Sequence, residues 1–159
     1  MKFRVSALLA AAVVGIGGCT KPQTADLTAR VLFTARGSYD AQADSKTKIG
    51  SGHRRAVWTR QPPLAAGGVT LDYGTDSRPV AWSLALSAPR ISVQTLLDEN
   101  PGTALTVKMP QGQAQLFASG RLNDVLAVPL PDGFRLVTRA YATQLEPALL
   151  PVFGTAANP

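Results

Sequence analysis

Val80-Ala81-Trp82-Ser83-Leu84-Ala85-Leu86-Ser87 sets Val80, Trp82, Leu84 and Leu86 on one side of an extended chain, with Ala81, Ser83, Ala85 and Ser87 on the other. A period of two is the pleat of a β-strand. The second side is small or apolar as well, so this strand is expected near the centre of a sheet, covered on both faces.

Moving upstream, residues 69–73 (VTLDY) alternate in the same way, and residues 74–79 (GTDSRP) read as the turn between the two strands. Residues 53–60 (HRRAVWTR) read as a further strand, closed by Gln61-Pro62-Pro63 and the flexible Ala65-Ala66-Gly67-Gly68. Residues 37–52 hold hardly any large apolar side chain and read as a long loop. Residues 27–36 alternate again, with Leu27, Ala29, Val31, Phe33 and Ala35 on one face, which predicts a half-buried strand.

Downstream, residues 92–100 (SVQTLLDEN) read as one short helix. Ser92 is its cap, Val93, Leu96 and Leu97 stand at helical spacing, and Pro101-Gly102 is the stop; a strand is the alternative. Residues 103–109 and 114–119 predict a hairpin around Pro110-Gln111-Gly112-Gln113. Residues 125–130 and 134–141 predict another, around Pro131-Asp132-Gly133. Seven or eight short strands at roughly ten-residue spacing imply a mostly β chain: a single-domain antiparallel β-sandwich or small barrel.

The opposite pattern holds at the start. Met1-Lys2-Phe3-Arg4 is charged, and the apolar run from Val5 to Ile16 follows, closed by Gly17, Gly18 and Cys19. This is the layout of a secretory signal. As a helix the run reaches roughly 18 Å, short of the ~30 Å hydrocarbon core. Gly17 and Gly18 leave an uncrowded backbone for a peptidase cleft.

Ile16-Gly17-Gly18-Cys19 resembles the lipobox of bacterial lipoproteins, an aliphatic and two small residues before an obligatory cysteine. The resemblance covers the first 20 residues and makes Ile16, Gly17 and Gly18 the signal-peptidase recognition residues. It implies cleavage after Gly18, a diacylglyceryl thioether on Cys19 and acylation of the new amino group. Two or three acyl chains hold a protein where one does so only marginally. Thr20 rather than aspartate after the cysteine implies, within that family, the outer membrane, with the body facing the periplasm. The expected organisation is a cleaved signal peptide at 1–18, a lipidated tether at 19–26, a β-rich domain at 27–142 and a Pro-rich tail at 143–159.

Without its first 18 residues the 159-residue chain keeps 141, enough for one core. Sixteen basic residues less Lys2 and Arg4, against ten acidic ones, leave a net charge of about +4. That is mildly basic, not the density of a nucleic-acid binder. Cys19 is the only cysteine, so no disulfide or Cys-based metal site is expected.

The titratable residues converge on little chemistry. His53, beside Arg54 and Arg55, reads as an exposed strand-end histidine rather than a catalytic base, with no nucleophile motif near it. Asp72 and Asp76 read as turn residues rather than calcium ligands, and Asp98 and Glu99 as a solvated acidic turn. Trp58, Trp82 and Tyr141 read as core, with Trp58 the alternative candidate for anchoring a partner. No catalytic residue, metal or dissociable cofactor is expected, only the covalent lipid on Cys19.

Eleven of the sixteen basic residues are arginines. Arg30 with Arg36, Arg54 with Arg60, and Arg135 with Arg139 recur at even spacing, and Arg55 adjoins the second pair. Guanidinium forks fit phosphate and carboxylate, so these seven are the candidate contacts for an anionic partner such as headgroups, lipopolysaccharide or an acidic protein face, with a plain solvated face as the alternative.

The expected role is a non-enzymatic structural component of an envelope assembly for secretion, conjugation or surface-polymer export. The length, the lipobox and Arg139-Ala140-Tyr141-Ala142 resemble conjugal-transfer lipoproteins of mating-pair formation. The alternative is a stand-alone periplasmic binding module. Gly50-Ser51-Gly52 ahead of Val57-Trp58-Thr59 resembles small β-barrel lysozyme-inhibitor lipoproteins, and lipopolysaccharide is the other ligand such a module would take.

Overall fold

The computed structural model describes residues 26–50, 52–59, 64, 67–74, 81–87 and 91–154. Their regular elements are, in chain order, α1 (Leu27–Ala35), β1 (Ser45–Ile49), β2 (His53–Trp58), β3 (Val69–Tyr73), β4 (Trp82–Leu86), α2 (Val93–Glu99), β5 (Ala104–Met109), β6 (Gly112–Phe117), β7 (Val125–Leu130), β8 (Gly133–Thr138), α3 (Arg139–Leu145) and α4 (Leu150–Gly154). Single 3₁₀ turns lie at Asp40–Gln42 and Pro147–Leu149.

The mostly β, single-domain antiparallel class expected from the sequence is what the chain adopts. All eight strands join one open sheet in the order β1-β2-β3-β4-β8-β7-β6-β5. β4 sits inside it, pairing with β3 on one side and β8 on the other, Leu84 opposite both Leu71 and Leu136. The quoted alternation is the cause: Trp82, Leu84 and Leu86 enter one core, while Ser83 and Ala85 leave room for cover on the other face.

The sheet has two covered faces. On the first, α1 and α2 close over Trp58, Leu71, Tyr73, Trp82, Leu84, Phe117, Phe134 and Leu136. On the second, α3, the 3₁₀ turn and α4 close over Leu116, Leu126, Val128 and Val137. Each fully buried leucine or phenylalanine contributes about 1.5–3 kcal/mol, so both faces hold the fold. Alternate residues of β7 serve the two cores, Val125 and Ala127 the first, Leu126 and Val128 the second.

Four expectations are corrected. Residues 27–36 are not a strand, because α1 occupies them. Leu27, Val31 and Ala35 stand four apart, a spacing that lies on one face of either a strand or a helix. The ends decide: Asp26 caps the helix by accepting from the Ala29 N–H at 2.9 Å. Glu99 accepts from the N–H of Leu27 (2.9 Å), the N–H of Thr28 (2.6 Å) and the Thr28 hydroxyl (2.8 Å). The two N–H groups are donors that a helix start leaves without partners.

The expected loop at 37–52 contains β1, an edge strand paired from Ser45↔Val57 to Ile49↔His53. Its side chains are almost all exposed, with Lys46 and Lys48 blunting the edge, so it carries no apolar alternation. Gly50 (φ 46°) and Gly52 (φ 77°) turn the chain into β2 in a left-handed conformation that suits glycine.

The strand expected over 134–141 ends at Thr138. Its hydroxyl accepts from the Trp82 N–H at 3.0 Å and from the Tyr141 N–H at 3.2 Å, pinning β8 to β4 while capping α3. Finally, the boundary between domain and tail at 142/143 falls inside α3, and the described part of the tail, to residue 154, packs against the body. Leu149 is 8% exposed and Phe153 fully buried. The second hairpin pairs β7 with β8 as expected up to Thr138, with Gly133 already in the strand, where a Cβ would collide with the carbonyl oxygen of Leu86.

Candidate functional site

Helix α2 forms as the Ser92 cap and the Val93, Leu96, Leu97 spacing require: the Ser92 hydroxyl accepts from the Thr95 N–H at 3.2 Å, and Leu96 is buried. It ends on Glu99 and Asn100, which reach back to α1. The Asn100 amide donates to the Thr28 hydroxyl and to the Leu96 carbonyl, both at 2.7 Å. Glu99 is therefore a helix cap, not a solvated acidic turn; Asp98, held by Gln94 at 2.8 Å, is the exposed one of the pair.

With α1 fixed in this way, its outer side becomes one wall of a groove of about 680 Å³ lined by Ala29, Arg30, Leu32, Phe33, Arg36, Tyr39 and Arg121. Phe33 is 47% exposed, an unusual position for a phenylalanine, and the Tyr39 ring meets it edge-on at 4.9 Å between centroids. Arg121 reaches Asp26 at 2.6 Å, and that guanidinium, followed by the Ala29 N–H, holds the Asp26 carboxyl below its ordinary value. The groove thus combines apolar surface with the guanidinium groups of Arg30, Arg36 and Arg121.

A second polar arrangement lies under α3. Asp72 projects from β3 onto the second face and is almost fully buried. The Arg55 fork grips it through Nε at 2.6 Å and Nη2 at 2.7 Å, and the Tyr141 hydroxyl donates to it at 3.0 Å. Next to it, Arg135 of β8 holds Glu146 at the end of α3 through both terminal nitrogens. Burial, then the Asp72 charge, pushes the Tyr141 phenol above its ordinary value. The bond to Asp72 raises Arg55, and the bond to Glu146 raises Arg135. Two carboxylates neutralised by two guanidiniums, with a phenol that keeps its proton, tie α3 to the sheet.

Of the seven candidate arginines, Arg30 and Arg36 share the α1 groove. Arg55, Arg135 and Arg139 are engaged with carboxylates of the chain, Arg139 with Asp124 at 2.9 Å. Arg54 lies over the Tyr73 ring at 5.3 Å. Arg60 lies outside the described residues, as do Asp76 and all of Ile16, Gly17, Gly18 and Cys19. His53 is buried rather than exposed, 3% accessible with its ring edge-on to Tyr141. Trp58 and Trp82 are core on the first face.

No family model, curated protein or solved structure matches the chain. Among the described residues no three His, Cys, Asp or Glu side chains converge to hold a metal ion, and no helix is long and apolar enough to cross a membrane. The partners sequence reading missed, Arg121 in the groove, Tyr141 on Asp72 and Glu99 on α1, stand 69 to 95 residues from what they bind. No local pattern announces contacts at that separation.

Tyr73 carries a measurable alkaline signature. Burial, then its hydrogen bond to Asp40, pushes it up to about 12. An unfolded chain loses this proton near pH 10, so the stability Tyr73 confers is full below about pH 10 and is lost as the pH rises to about 12. Spectrophotometric titration should show a tyrosinate step near pH 12 that vanishes in Tyr73→Phe; a step unchanged by that substitution refutes the assignment.

Proposed function

We propose that the chain is a lipoprotein held by acyl chains on Cys19 in a membrane facing the periplasm, where its body serves as a non-catalytic assembly component. The observation that carries this reading is Ile16-Gly17-Gly18-Cys19. The only cysteine stands where the lipobox needs one, seven residues before Asp26, the cap of α1. A body of one sheet whose buried carboxylates pair with its own arginines suits a structural role. The β5 edge supports it further. Among the described residues its outer backbone edge has no strand partner, which leaves a row of N–H and C=O groups for a strand of another protein.

The test has two parts. Labelled palmitate should enter the wild-type chain and not Cys19→Ser, which should leave the membrane fraction; continued membrane fractionation of an unlabelled variant overturns the anchor. Mild detergent should extract the wild type within a larger assembly, and a strictly monomeric extract overturns the assembly role.

A further inference from the structure

We infer that the outer face of α1 docks on the anionic headgroups of the same bilayer that holds the Cys19 anchor. The inference rests on the lipoprotein reading and adds to it which side of the body meets the membrane. Seven residue steps separate Cys19 from Asp26, so the start of α1 stays within roughly 25 Å of the lipidated residue even when the tether is fully extended. No other described element lies so near the anchor in sequence, and α1, nine residues long, adds only about 14 Å.

What that helix turns outward suits an interface. Phe33, with Tyr39 against it, offers an aromatic pair able to sit among headgroups. Arg36 and Arg121, with Arg30 in the same groove wall, place guanidiniums that suit lipid phosphate beside it, Arg121 also reaching Asp26. Arginine next to an exposed aromatic ring is the composition of interfacial helices. Each cation near an anionic surface strengthens binding about fivefold. The tether holds α1 at the bilayer, so even weak contacts of this kind suffice to orient the body.

The test uses the full-length acylated protein carrying Phe33→Trp, reconstituted in phosphatidylethanolamine–phosphatidylglycerol vesicles with brominated acyl chains, and separately in neutral phosphatidylcholine. Trp58 and Trp82 are buried in the first-face core, so their common signal is subtracted with the unsubstituted protein. Quenching of the new indole in anionic vesicles is expected, weakened in neutral ones and by added salt. Adding Arg36→Glu should lower the docked-to-undocked ratio at least about fivefold while co-sedimentation stays complete.

Full co-sedimentation without quenching overturns the docking and leaves the anchor standing. Quenching indifferent to lipid charge and to Arg36→Glu overturns the headgroup contact. An indole already shielded from aqueous iodide before vesicles are added identifies a second copy of the chain as the occupant and also overturns it. Failure to sediment at all removes the anchor, and the docking with it.

Discussion

Phe153→Ala is expected to lower the unfolding free energy by about 3–5 kcal/mol, the usual cost of emptying a buried aromatic site. Phe153 is fully buried on α4 and packs among Leu116, Leu126, Val128, Val137, Tyr141 and Leu149. The Arg139 guanidinium lies over its ring at 5.3 Å and donates to its backbone carbonyl at 3.1 Å. Removing the ring therefore opens a cavity under α4 and takes away the surface on which Arg139 rests. Domains of this size have roughly 5–15 kcal/mol in all, so the urea midpoint should fall by about a fifth or more. Phe33→Ala is the contrast, because an exposed ring is worth within about 0.5 kcal/mol. If the two variants unfold at the same urea concentration, α4 is not part of the core and the second face is covered by something else.

That contrast marks what the sequence discloses and what it does not. Exposure follows from the face a residue shares with its neighbours, and this was legible wherever one period fitted the apolar residues and the other did not. β4 is such a case, as are β3, the two downstream hairpins and α2. In residues 27–35 the spacing of four satisfied both periods, and the deciding group, Glu99, lies about seventy residues away. In β1 the edge position removed the pattern itself, since a strand with both sides near water needs no apolar alternation. The C-terminal segment misled for another reason. Pro147 and Pro151 interrupt its periodicity, yet each falls where a 3₁₀ turn or the first turn of a helix tolerates proline. The candidate sites divide along the same line. The lipobox is local and can be read directly, and Arg30 and Arg36 could be named but not placed. Arg121 and the Asp72 cluster exist only once the sheet is assembled.

The Asp72 cluster carries the second large effect. Asp72→Ala should cost about 2–4 kcal/mol, because it strands the Tyr141 hydroxyl beneath α3 and releases the Arg55 fork at once. The lower part of the usual range for a broken buried pair applies, since the Arg55 side chain is 46% exposed and can turn into water. Asp72 cannot do the same: its side chain is 7% exposed, so Arg55→Ala should cost more than the exposure of Arg55 suggests. Asp72→Asn keeps an acceptor for Tyr141 but loses the charge, and should fall between Asp72→Ala and the wild type. Urea unfolding of Asp72→Ala, Tyr141→Phe and the double variant closes a cycle whose coupling should be about 1 kcal/mol or more. Additive losses would mean that the phenol and the carboxylate do not support one another. The apolar contacts of Tyr141 and Ala142 on α3, and of Leu149 and Phe153 beyond it, would then hold the C-terminal segment, and the Asp72 pair would fix where α3 sits without adding to how firmly it is held.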